Sequence, residues 1–112
     1  MNNKTQEHLD ILLADGWVVF KDVLSHADKA LAKHVPTDTP CFLNERDGVI
    51  QVIIRLYSHG KHSSFEIELV ATTKTGHALK LDLWAYDELE EGLAQIPAMI
   101  KTWEFFNNQF NQ

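Results

Sequence analysis

The sequence predicts an α+β fold. It is an antiparallel meander of four strands, with a fifth open at Trp17–Phe20, packed on one face by a long kinked C-terminal helix and joined by one or two N-terminal helices. Three observations predict it. Ile50–Tyr57, Phe65–Thr72 and His77–Tyr86 alternate apolar and polar residues, the period of a half-buried strand. The segments between them carry turn chemistry. From Asp87 the apolar period changes to that of a helix.

The first helix is expected from about Lys4 to Ala14, because Leu9, Leu12 and Leu13 form a narrow stripe and Gly16 follows as a left-handed stop. Trp17-Val18-Val19-Phe20 is too short for periodicity to separate strand from buried helix. Ser25 followed by Asp28 suits the start of a second helix through about His34. Pro36 and Pro40 bracket a loop, Cys41–Asn44 reads as a strand, and Asp47-Gly48 is a hairpin turn.

Register follows from parity. Ile50, Val52, Ile54 and Leu56 share one face, and so do Phe65, Ile67, Leu69 and Ala71, so the hairpin between them needs an even loop such as Gly60-Lys61. Leu79, Leu81, Leu83 and Ala85 are also odd-numbered, which suits the three-residue loop Lys74-Thr75-Gly76. In the last helix, with Asp87 as cap, Leu89, Leu93, Ile96, Ile100 and Trp103 form the buried stripe, Pro97 kinks it, Phe105 points away, and fraying is expected from Asn107.

A chain of 112 residues with 45% apolar content is expected to be one domain, 1–112, with a single core. Its net charge of −6 argues against a general nucleic-acid binder, which needs a basic footprint. Asp87, Glu88, Glu90 and Glu91 supply four of those charges at a helix start, where the dipole favours them. One cysteine, Cys41, excludes an internal disulfide. With no secretory signal and no apolar run long enough to span a bilayer, a cytoplasmic location without membrane contact is expected.

The second face of the three strands stands out. It is expected to carry Arg55, Glu66, Glu68, Asp82, Trp84 and Tyr86, aromatic anchors beside carboxylates, with Glu68 directly opposite Asp82. These six are the candidate partner-binding residues, unless the N-terminal helices cover them. His59, His62 and His77 are too dispersed for a zinc site, and Gly60-Lys61-His62-Ser63 lacks the strand-to-helix setting of a phosphate loop. Cys41 beside Phe42 and Leu43 reads as a small core residue.

No catalytic, metal or cofactor site is expected. The favoured role is a non-catalytic protein-binding module, a small acidic inhibitor or immunity- or antitoxin-like partner of a basic protein, or a homodimer. The competing reading is a small-molecule-binding protein or minor enzyme, with a pocket between sheet and helices lined by Trp17, Trp84 or Trp103.

Overall fold

The computed structural model describes residues 1–35, 49–72 and 78–110. The elements in order are α1 (Asn3–Ala14), β1 (Val18–Val19), β2 (Lys29–Val35), β3 (Val49–His59), β4 (His62–Thr72), β5 (Ala78–Tyr86) and α2 (Leu89–Phe110). The strands form one antiparallel sheet in chain order. The Trp17–Phe20 segment therefore supplies the fifth strand. The expectations for Cys41–Asn44, Asp47-Gly48, Lys74-Thr75-Gly76 and His77 lie outside the described residues.

The β3–β4 hairpin has the register that parity demands. Leu56 faces Phe65, Ile54 faces Ile67, and His59 faces His62 across Gly60-Lys61. Gly60 takes φ +62°, where a side chain would be strained. The face shared by Leu56, Phe65, Ile54, Ile67, Val52 and Leu69 is fully buried. Burial of each such side chain contributes roughly 1.5–3 kcal/mol.

Both helices cover this same face. Leu9 and Leu12 of α1 and Leu89, Ile96, Met99, Ile100 and Trp103 of α2 join one apolar cluster with the sheet. The predicted α2 stripe is the observed one, with Leu93 half-buried and Phe105 exposed. The helix continues through Pro97 and reaches Phe110, beyond the expected fraying point. It starts at Leu89, two residues after Asp87, and the Glu88 carbonyl accepts from the Gly92 N–H. Gly92 lies directly over Phe65, where a Cβ would come within 2.6 Å of the ring.

Two expectations are corrected. The segment from Ser25 to His34 is not a helix, because Lys29–Val35 pairs with β3 as a strand. Leu31 enters the core while Ala30 and Ala32 are buried on the opposite side. Burial on both faces outweighs the helix preference of alanine.

The second correction concerns β5. Near its start, Ala71 faces Leu79 and Val70 faces Lys80, as a three-residue loop implies. A register shift follows, so that Leu69 faces Asp82, Glu68 faces Leu83 and Ile67 faces Trp84. One extra residue, Leu81, reverses the face of everything after it. Asp82, Trp84 and Tyr86 thus lie on the helix-covered side, and Glu68 has Leu83 opposite rather than a like charge.

Candidate functional site

The second sheet face is crossed by the protein's own chain, though not by α1. Residues 20–28, between β1 and β2, form a strap over it. Asp22 receives both Nε and Nη2 of Arg55 on one carboxylate oxygen. Its other oxygen accepts the Leu24 N–H at 3.1 Å, an Asx turn. Ser25 accepts the Ala27 N–H at 3.0 Å and lies with Tyr57 at the lining of one concavity, and the Asp28 N–H donates to the Leu56 carbonyl at 2.8 Å.

Asp22 and Ser25 of the strap are thus half-buried against the sheet, while Val23 and Leu24 between them point out. Val23 is 80% exposed and Leu24 91%. This inverts the usual arrangement, in which a turn buries its aliphatic side chains and solvates its carboxylates.

Beneath the strap is an ion network. Glu68, with a side chain only 9% exposed, lies 3.4 Å from Arg55 Nη1 and 3.3 Å from Lys80 Nζ. Burial pushes the Asp22 carboxyl up, but the hydrogen bonds from Arg55 and the Leu24 N–H prevail and hold it below its ordinary range. Burial likewise opposes the Arg55 charge, yet Asp22 and Glu68 overcome it and raise the guanidinium further. Burial raises the Tyr57 phenol, aided by its hydrogen bond to Glu66 and opposed by Ser25. An open concavity of about 480 Å³ lies over these groups, with Leu24 and Leu83 at its lining beside Glu66 and Lys80.

Of the six residues the sequence singles out, the structure brings together Arg55, Glu66 and Glu68. It separates them from Asp82, Trp84 and Tyr86, which the β5 bulge turns to the opposite side. There Tyr86 stacks on Phe65 with ring centroids 5.9 Å apart, and Asp82 accepts the Leu83 N–H. Trp17 and Trp103 are core residues, whereas Trp84 is 37% exposed. The sequence pattern does not single out Asp22, Val23 and Leu24, and it marks Ser25 only as a helix start. The available signal was an apolar pair flanked by Asp and Ser, a combination that fits neither a strand nor an amphipathic helix.

A second polar cluster joins α1 to the β3–β4 hairpin. Asn2 caps α1 through the Thr5 N–H and donates its side-chain amide to the Gly60 and His62 carbonyls. The Ser58 hydroxyl donates to Thr5 Oγ1 at 2.8 Å, the Thr5 hydroxyl donates to Ser63 Oγ at 2.9 Å, and Ser63 Oγ lies 3.3 Å from His8 Nδ1. Burial, then the Lys4 charge, lowers the His8 pKa below 6.5, while Glu7 and Glu88 resist. A serine beside a histidine is the start of a nucleophilic pair. Here Ser63 and His8 are each only 6% exposed, and Ser63 Oγ already accepts from Thr5. The arrangement is a latch between helix and hairpin.

Among the described residues, no three His, Cys, Asp or Glu side chains converge as metal ligands, and no helix is long and apolar enough to cross a membrane. No family model, curated protein or solved structure matches this chain.

Proposed function

We propose that the chain is a non-catalytic protein-binding module that engages a basic protein through its helix layer, in the manner of a small acidic inhibitor, an immunity protein or an antitoxin. One observation carries the reading: the net charge is segregated. Residues 1–16 and 87–112 hold two cations, Lys4 and Lys101, against eight carboxylates, a net −6. Residues 17–86 hold eight cations and eight carboxylates, a net zero.

Helix chemistry accounts for Glu90 and Glu91 in the first turn of α2. It does not account for Glu7 and Asp10 within α1, or for Asp15 at its C-terminal cap, where a dipole disfavours an anion. Glu7, Asp10, Glu90 and Glu91 are all exposed, and Ile11, 53% exposed, offers apolar contact among the α1 acids. A predominantly acidic surface of this kind accelerates encounter with an oppositely charged protein.

The test is capture from the native host with two baits, the wild-type chain and a Glu7→Lys/Asp10→Lys/Glu91→Lys variant. A basic protein held by the first and lost by the second is expected, with an association rate about tenfold or more slower for the variant at low ionic strength and converging above 0.5 M salt. Equal capture by both baits would sink the reading.

A further inference from the structure

We propose that α1 is a pH-set latch, in which a proton taken up at His8 Nδ1 releases the N-terminal half of α1 from the β3–β4 hairpin. The latch is independent of any partner on the helix layer.

Its parts are placed by register and by helical period. Ser58 and Ser63 are directly opposite one another beside the hairpin turn. Thr5 and His8, about one helical turn apart on α1, sit over the pair. The hydrogen bonds run in one direction. The Asn2 N–H donates to Ser58 Oγ at 3.0 Å, Ser58 to Thr5 Oγ1 at 2.8 Å and Thr5 to Ser63 Oγ at 2.9 Å, which leaves the Ser63 proton for His8 Nδ1 at 3.3 Å. A backbone N–H only donates, so the chain starts at Asn2 and His8 Nδ1 is its terminal acceptor. The folded protein therefore holds a neutral imidazole with its proton on Nε2.

Protonation turns that acceptor into a donor. The new Nδ1–H takes Ser63 Oγ, and the Ser63 proton turns back to Thr5 Oγ1. The Thr5 hydroxyl is then left with the Tyr57 carbonyl at 3.4 Å in place of Ser63 at 2.9 Å. Thr5, Ser63 and His8 are all buried, so water does not make good the loss. From the sheet the ring faces Ser63 and Phe65, with Tyr86 stacked on Phe65. From α1 it faces Lys4 and Glu7, and from the turn before α2 it faces Glu88, itself 3.8 Å from Lys4. Burial first and Lys4 second disfavour the charged ring, and Glu7 and Glu88 do not offset them.

The release is local because these same groups fasten only one end of α1. Asn2 caps the helix, and its side-chain amide holds the Gly60 and His62 carbonyls. The other end is held separately, by Lys33 Nζ on the Asp15 carbonyl at 2.9 Å and by the Trp17 N–H on the Leu12 carbonyl at 3.0 Å. α2 packs on the same sheet face through its own residues, so the sheet keeps that cover when α1 lifts.

Imidazole nitrogen NMR and amide hydrogen exchange on the full chain, between about pH 8 and about pH 4.5, test this. At the upper pH His8 should be the Nε2–H form, and Ser63→Ala should erase that preference. On acidification the Gln6 and Leu9 amides should lose protection about fivefold or more relative to their intrinsic rates, the equilibrium equivalent of one buried hydrogen bond, while Ile54 and Ile67 in the sheet keep theirs. His8→Gln should abolish this pH-dependent loss; each chain is compared with itself across pH, so a change in its overall stability does not enter. An Nδ1–H form in the wild-type chain, protection lost equally by helix and sheet or by neither, or a loss that survives His8→Gln overturns the proposal.

Discussion

The two sides of the sheet are built from the same kinds of residue arranged in opposite ways. On the helix side the apolar residues meet inside, at Leu12, Phe65, Ile67 and Ile100, and the charges of α1 and α2 face water. On the strap side Arg55, Asp22 and Glu68 meet inside, and Val18, Val23 and Leu24 face water. The first arrangement is held by apolar burial, which is non-directional and tolerates substitution by shape. The second has only a small apolar cluster of Ala32, Ile53 and Val70 and is held largely by directed charge contacts, which cost several kcal/mol per ion to desolvate and return it only when every partner is present. One side should therefore degrade gradually under mutation and the other abruptly.

The largest expected effect breaks the strap side. Arg55→Met leaves Asp22 and Glu68 without their shared guanidinium, with, among the described residues, only Lys80 still paired with Glu68. A loss of about 3–4 kcal/mol is expected in denaturant unfolding, since removing one member of a buried ionic group strands the others. A loss under about 1 kcal/mol would mean that the strap is held by something other than its ion pair.

The helix side should respond more mildly at its tightest point. Gly92→Ala places a methyl 2.6 Å from Phe65 Cε2 and 3.1 Å from Ile67 Cδ1, both on fully buried side chains. Overpacking costs about 1–3 kcal/mol, and the helix preference of alanine over glycine returns up to about 1. A net loss of about 1–2 kcal/mol is expected, and a net gain would show that α2 can lift away from the sheet without cost.

The smallest effect is a pH dependence that distinguishes the two sides by where it falls. His8 has a lowered pKa in the folded protein, so its neutral form is favoured there. Its contribution to stability is complete above pH 6.5 and is lost as pH falls from 6.5 through the folded value. Asp22 also has a lowered pKa, so its contribution is present above 3.8 and lost only as pH falls below that. Unfolding free energy should therefore decline in two separate steps, an upper one from His8 and a lower one from Asp22. His8→Gln should flatten the step below pH 6.5 and leave the acid step unchanged. A persisting upper step would assign it to another histidine.

The legible and illegible parts of the chain divide along the same line. α1, the β3–β4 register, the Gly60-Lys61 turn and the α2 stripe were all readable, because each rests on a period or a turn within a few residues. β2 carries the pattern of a helix rather than a strand, since Ala30 and Ala32 bury on one face while Leu31 buries on the other and no alternation survives. Half of the candidate site was displaced by one inserted residue, Leu81, because a single bulge inverts a strand without leaving a composition signal. Arg55, Glu66 and Glu68 were found together because they lie before that bulge. Their partner Asp22 was missed because it is 33 residues from Arg55.

The sequence alone determined which residues seek the core and with what period, because apolar burial acts on each side chain almost independently of its partners. It also determined the segregation of charge, which is a matter of counting. Only the tertiary structure decided that both helices share one face, that a strap occupies the other, and that Val23 and Leu24 ride outside an ion pair. Those outcomes depend on contacts between residues distant in the chain, whose directional requirements no local pattern records.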